Sequence, residues 1–471
     1  MAPQPEEYDL ICVGSGEASK LVSWAMSANH GQKTIVVERQ WMGGSCPNIA
    51  CLPSKSFVHS AAVIHESRHA AAYGLDVTDK AADLQADMAR IVARKRELLR
   101  TVNGFQGLFD KFKVPLVRAK ATMVGPKLVQ LSDGRLLTAN RILICTGSRA
   151  RIDERIPGLV AAKPMTHIEL LDLESLPSHL IILGGGYVGL EFAQAFRRFG
   201  STVTVIQRRD RVLPQEDGDV VEALAATLEK EGIRFLLGAE AKQVSGMSGE
   251  SVTVTVAIGA DTMTLNGSHI LVAAGRVPNT DGMGLETAGI KTTPASHIAV
   301  DSNLRTSVPG VWAAGDCAGS PYFTHIGWDD HRVVMADMLG SPRPGGTQGR
   351  LVPRVLFTDP ELASVGLTEK QANAQGIKYR LAKIAMADAF LRVQTLGPEH
   401  TTGFAKALVE ADGDRILGFT ALGSGAGELL PVVTLAIKLG VSYREIVDLI
   451  VAHPTLNEGL VMLFDTVPQR E

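Results

Sequence analysis

Two stretches of the chain share one pattern of apolar and polar positions. Each opens with an unbroken apolar run, turns through clustered glycines, and runs on to a second apolar run. In YDLICVGSGEASKLVSWAMSANHGQKTIVVER, residues 10–13 predict a buried parallel strand. Gly14-Ser15-Gly16 then predicts a tight turn into a helix, and residues 34–37 a second strand that ends in Glu38. This order suits a dinucleotide. Glycines let the backbone approach a pyrophosphate, the helix N-terminus faces it, and an acid accepts a ribose hydroxyl. Ser19 stands where a third glycine is usual, so helix–strand packing must tolerate a hydroxymethyl group.

In the second stretch, HLIILGGGYVGLEFAQAFRRFGSTVTVIQRRDRVL, Gly184, Gly186 and Gly189 complete the glycine pattern and residues 203–206 predict the following strand. Gln207 replaces the terminal acid, and Arg208 and Arg209 follow. A carboxylate there would bind a ribose diol but repel a 2′-phosphate, whereas arginine offers planar charged donors that suit one. The second unit therefore favours NADPH over NADH, Arg208 ahead of Arg209; the other reading of the arginines is a solvated surface turn. Two dinucleotide units in one chain suggest a flavin in one and a nicotinamide in the other. LLTANRILICTGS, HILVAAGRVPNT and GVWAAGDC each read as a strand running into a small-residue turn, at Thr146-Gly147, Gly275 and Gly315-Asp316. The Asp316 carboxylate could meet a flavin's ribityl hydroxyls. Each match could also be plain strand–turn punctuation.

Composition narrows the picture. At 471 residues three or so domains are expected, and a net charge of −3 gives no general attraction to nucleic acid or an anionic membrane. The N-terminal stretch MAPQPEEYDLICVG lacks the pattern of a signal peptide and no run approaches a membrane span, so a cytoplasmic protein is expected. Five cysteines are too few for a disulfide scaffold and point to a reducing compartment. Two of them fall close together in GGSCPNIACLPSK, at Cys46 and Cys51. Zinc would want a second cysteine pair, which is missing, so no metal site is expected. A redox pair is favoured over inert thiols; Cys12, Cys145 and Cys317 lie in or beside apolar strands and read as packing residues.

The motifs GSGEAS, GGSCPNIACLPSK, GGGYVGLEF, AAGDC, FTDPELASVGLTE and AHPTLNEGL occur in an order that resembles the class I flavoprotein disulfide reductases, the family of glutathione reductase, dihydrolipoamide dehydrogenase and mercuric reductase. The likeness runs almost end to end. It implies an α/β fold with two Rossmann-like dinucleotide-binding domains and an α+β C-terminal dimerisation domain. The expected borders are 1–148 and 277–343 for a two-segment FAD domain, 149–276 for an inserted NAD(P)H domain and 344–471 for the dimerisation domain. By resemblance, Cys46 and Cys51 form a redox-active disulfide, with Cys51 beside the flavin and Cys46 attacking substrate across a short connecting loop. Gly44 and Ser45 lie at the cofactor, Lys55 pairs with Glu191 near the flavin, and Tyr187 is a gate for nicotinamide. His453, oriented by Glu458, moves protons at the other subunit's site in a homodimer. Ala50 departs from the glycine usual before the second cysteine.

The expected activity is reduction of a small disulfide or related oxidised acceptor by NADPH through FAD. Alternatives are a metal-ion or quinone reductase of the mercuric-reductase-like type, a dihydrolipoamide dehydrogenase, and a non-catalytic flavin-bound sensor. The chain looks closest to the mercuric-reductase-like branch, yet it ends FDTVPQRE without that branch's terminal cysteine pair, which weighs against mercury. For glutathione, the first helix lacks the usual basic residue unless Lys20 substitutes.

Overall fold

The computed structural model describes residues 4–75 and 84–470. They fall into two compact bodies, one of residues 1–56, 92–151 and 275–350, the other of 57–91, 152–274 and 351–471.

The first body is built on a seven-stranded sheet. Strand β1 (Glu6–Val13) leads into helix α1 (Glu17–His30) and strand β2 (Thr34–Glu38). Helices α2 (Ser45–Ile49) and α3 (Cys51–Arg68) follow, then strands β3 (Leu116–Arg118), β4 (Ala121–Gly125), β5 (Leu128–Leu131) and β6 (Leu136–Ile144). The order across the sheet is β3-β2-β1-β6-β5-β4, with strand Val311–Ala313 also on β6. β1 runs parallel to both β2 and β6, so that Cys12 sits between Val36 and Leu143. The unbroken apolar run of β1 has a simple cause. Ile11 and Val13 belong to the core on one face of the sheet, Leu10 and Cys12 to the core on the other. A short antiparallel ribbon, Ser148–Ala150 with Arg276–Pro278, joins the points where the chain leaves and re-enters this body.

Helix Thr324–Met338 is tied down by Asp330, which is fully buried. Its carboxylate accepts from the Gly315 amide at 2.8 Å and from Ser320 Oγ at 2.8 Å, and Arg350 supplies the countercharge. The glycine- and proline-rich stretch 341–350 thus ends in a buried ion pair.

The second body holds three sheets. A four-stranded parallel sheet has the order Ile233–Leu237, Thr202–Gln207, His179–Leu183, His269–Val272. An antiparallel meander is formed by Ala239–Met247, Ser251–Ile258 and Asp261–Gly267. A five-stranded antiparallel sheet includes Phe404–Glu410 and Ile416–Gly423, with helix Leu430–Leu439 packed on its core. No helix among the described residues is long and apolar enough to cross a membrane.

One buried charge cluster joins the N-terminus of helix Gly218–Lys230 to the antiparallel sheet. Lys406 has no exposed surface, and its Nζ lies 2.9 Å from Asp217, 2.8 Å from Asp219 and 2.7 Å from Glu369. Burial alone would lower its pKa, but the carboxylates outweigh that and hold it above the ordinary lysine value. Removing one partner of such a cluster strands the others in a medium that solvates them poorly. Lys406→Met is therefore expected to destabilise the protein by about 3 kcal/mol, read as a lower urea midpoint than wild type. An unchanged midpoint would show the carboxylates to be adequately hydrated without it.

Candidate redox site

The cysteine stretch is laid against the first glycine turn. Gly43 and Gly44 have φ of 89° and 88°, which an L side chain resists. A Cβ on Gly44 would lie 2.8 Å from Gly16 Cα, so the two backbones touch. Ser15 Oγ accepts from the Gly43 amide at 2.9 Å, and Asn48 Nδ2 donates to the carbonyls of Met42 and Gly44 at 2.8 and 2.7 Å. The expected loop between the cysteines is instead helix α2, broken at Ala50. Ala50 has φ −129°, so its methyl group meets no left-handed strain and the departure from glycine is accommodated.

Cys46 and Cys51 are both half-buried, and each bears on the acidity of the other as if one proton lay between the sulfurs. This shared proton splits their acidities. Cys51 is lowered to about 6, first by the proton of Cys46 and then, against burial, by Thr324 and Lys55. Cys46 is driven up, by the same bond and by burial. Cys51 is also the first residue of an 18-residue helix, where unpaired amides favour an anion. Thr324 Oγ1 lies 3.2 Å from Cys51 Sγ. In the reduced pair the charge therefore sits on Cys51 and the proton on Cys46. Cys12, Cys145 and Cys317 are buried, and burial raises all three thiols.

At the first glycine turn, a cleft of about 210 Å³ is lined by residues including Gly14, Glu38, Thr146, Arg149 and Asn279. Its floor requires glycine: Gly14 has φ 92°, and a Cβ there would lie 2.3 Å from the Cys145 carbonyl oxygen. Glu38 accepts from the Ser15 amide and hydroxyl at 2.9 Å each, and from the Gln40 amide at 2.8 Å. The Trp41 amide also donates to it at 3.1 Å, so the roughly four acceptor positions of the carboxylate are all taken and a ribose hydroxyl would replace one of these donors. Ser19 is fully buried, its hydroxyl beside the Cys12 sulfur. Thr146 and Asn279 bond reciprocally, Oγ1 to carbonyl at 2.8 Å and Nδ2 to carbonyl at 2.9 Å, while Gly147 and Gly275 turn with φ of 68° and 107°. Asp316 accepts from Ser148 Oγ, which itself accepts from Arg276 Nε at 2.7 Å; burial raises the Asp316 carboxyl. Ser45 is exposed. These residues share one body, and the glycine cradle with acids at both ends fits FAD.

In the other body, each glycine of the second unit meets a different demand. A Cβ at Gly184 would lie 2.5 Å from the Ala273 carbonyl oxygen, and at Gly189 2.0 Å from that of Gly184, whereas Gly186 faces open space where a phosphate could approach. Tyr187 opens the helix Tyr187–Phe199, its hydroxyl 3.5 Å from the buried Glu216 carboxylate. Glu191 is buried and accepts from the Phe357 amide at 3.1 Å. Arg208 and Arg209 are exposed beyond strand Thr202–Gln207. His453 is exposed, its Nδ1 2.9 and 3.1 Å from the two Glu458 oxygens. The carboxylate selects the tautomer with the proton on Nδ1 and leaves Nε2 as the ring's acceptor.

Lys20 does not take the place of a carboxylate-binding residue. It is buried, paired with Glu17 at 2.8 Å and set over the Phe105 ring. Sequence reasoning passed over Thr324, Asp330, Ser148 and Arg276, none of which stands in a recognisable spacing.

Residues 8–330 match the family described as pyridine nucleotide-disulphide oxidoreductase, and residues 352–464 match its dimerisation domain. The chain is 33% identical to dihydrolipoyl dehydrogenase 1, mitochondrial, of Arabidopsis thaliana, across 97% of this chain and 89% of that one. It is 30% identical to mercuric reductase of Lysinibacillus sphaericus, across 97% and 82%. The structure of the HOCl-induced flavoprotein disulfide reductase RclA from Escherichia coli superimposes with a TM-score of 0.87 at 30% identity, covering 98% of this chain and all of that one. A glycine-cradled nucleotide cleft and a close cysteine pair in one body, in a chain with these relatives, make this protein a member of the pyridine nucleotide-disulphide oxidoreductase family, an NAD(P)H-dependent flavoprotein enzyme.

Proposed function

We propose that the protein uses NADPH to reduce a small disulfide or related oxidised acceptor through Cys46 and Cys51. It would act as a cytoplasmic homodimer in which His453, oriented by Glu458, serves the other chain's cysteine pair. The observation that carries this is the place of the pair, half-buried at the two ends of helix α2 and held by the Gly44–Gly16 backbone contact against the first glycine turn. A bound FAD would supply the two-electron redox chemistry that links a nicotinamide to the sulfur pair. Gly14, Gly16 and Glu38 would hold its adenosine half. Gly44, Ser45, Thr146, Gly147, Gly275, Gly315 and Asp316 would line the remainder. Gly184, Gly186 and Gly189 would hold the nicotinamide cofactor behind the Tyr187 gate, and Lys55 with Glu191 would fix the flavin where hydride arrives.

The protein's own steps then balance. His453 takes the Cys46 proton, and the Cys46 thiolate attacks one sulfur of the acceptor. The acceptor's S–S bond breaks, and its leaving thiolate takes the proton back from His453. Cys51 attacks Cys46, releasing the second thiolate and restoring the disulfide. One NADPH and one proton are consumed for two thiols formed.

A second reading makes the acceptor a metal ion. It is favoured by a solved Cu(II) complex of the 29%-identical relative RclA. Lipoamide is a third acceptor, suggested by the dihydrolipoyl dehydrogenase relatives. Gln207 in place of an acid weighs against the NAD that such an enzyme uses.

Three outcomes test the proposal. Cys46→Ser should abolish reduction of disulfides while stopped-flow absorbance still shows NADPH reducing the flavin; disulfide turnover at the wild-type rate would defeat it, and a panel run with Cu(II) separates the metal reading. His453→Ala should slow steady-state disulfide reduction by about 10²-fold or more and leave flavin reduction unchanged. Arg208→Ala should raise the KM for NADPH about ten-fold, with little change for NADH. Equal effects on both coenzymes would remove the phosphate role.

A further inference from the structure

We propose that the hydroxyl of Thr324 is the donor that keeps the negative charge of the reduced pair on Cys51 once Cys46 has given up its proton. This deepens the disulfide-reductase reading and rests on it.

The geometry places one hydroxyl at the sulfur that must hold a charge. Thr324 Oγ1 is 3.2 Å from Cys51 Sγ, within the range of a hydrogen bond to sulfur. It stands at the first position of the 15-residue helix Thr324–Met338, and Phe323, at the cap position, gives no side-chain cap. The Ile326 amide of that first turn donates to the Phe323 carbonyl at 3.0 Å, and the Thr324 hydroxyl is turned to the sulfur. Asp330 fixes the same helix through Gly315, Ser320 and Arg350, so the hydroxyl is held on a rigid element.

The timing follows from the chemistry. While both thiols are reduced, Cys46 supplies the first stabilisation of the Cys51 charge, with Thr324 behind it. When His453 removes that proton and Cys46 turns to the acceptor, the shared bond is lost. Cys51 then depends on Thr324, Lys55 and the start of α3. The hydroxyl also acts on Cys46, but there the bond to Cys51 comes first. An apolar residue in place of Thr324 would leave the Cys51 thiolate without its neutral donor and make Cys51 less acidic at that moment.

The test isolates Cys51. Cys46→Ala removes the shared proton, and the purified flavin-bound protein is alkylated with iodoacetamide across a pH series, Cys51 being followed by peptide mass spectrometry. Adding Thr324→Val should move the midpoint of Cys51 alkylation upward by about one pH unit. Adding Thr324→Ser instead should leave it where C46A has it. Coincident midpoints for C46A and C46A/T324V would overturn the assignment, as would a serine variant that behaves like valine. Long-wavelength flavin absorbance, recorded in the same samples, reports separately on contact between the Cys51 thiolate and the flavin. If that band is absent while the alkylation shift persists, the role of Thr324 stands and the flavin-contact reading falls.

Discussion

The chemistry proposed for this protein turns on where one negative charge rests between two neighbouring sulfurs. Two neighbouring thiolates would repel each other, and two neutral thiols would be poor nucleophiles; a single shared proton avoids both. The environment then decides which sulfur carries the charge. A helix start, a threonine hydroxyl and a lysine one turn away surround Cys51, whereas burial and the shared bond weigh against charge on Cys46. Everything else in the first body serves to hold that asymmetry next to a nucleotide cradle. The contact between Gly44 and Gly16 does so most directly, because backbone meets backbone with no side chain to yield.

The two glycine-rich units show the same motif meeting different demands. In the second, three glycines divide the work among a turn, an open approach and a helix–strand contact. In the first, Ser19 occupies the position of the last of these and is buried without displacing α1 from the sheet. The fingerprint tolerates this because only the turn itself, at Gly14, meets a backbone carbonyl at 2.3 Å.

Much of the fold is legible in the sequence for a physical reason. Parallel strands covered on both faces need unbroken apolar runs, and Leu10, Ile11, Cys12 and Val13 supply one, alternating between two cores. The redox pair and the His453–Glu458 pair are legible because each is local, its members five positions apart. What was hidden is non-local or a matter of burial. Thr324 meets Cys51 across 273 positions, and nothing near either residue announces it. Lys20 reads as an exposed cation on a surface helix until its pairing with Glu17 under Phe105 is seen. The resemblance implies a short loop between the cysteines, yet Pro47 is compatible with the first turn of a helix and the stretch is helical.

The ribbon that pairs Ser148–Ala150 with Arg276–Pro278 bears on how such a chain is made on the ribosome. Strand β6 emerges long before Val311–Ala313, its partner at residues 142–144 in the finished sheet, so that end of one flank, beyond the part paired with β5, waits with unsatisfied backbone groups. An open flank of that kind invites association with other nascent chains. Because exit and return are clasped by the ribbon, the late-arriving strand is delivered close to its vacancy once residue 278 has been synthesised. A chain interrupted by a large insertion can thereby complete its first sheet with little searching.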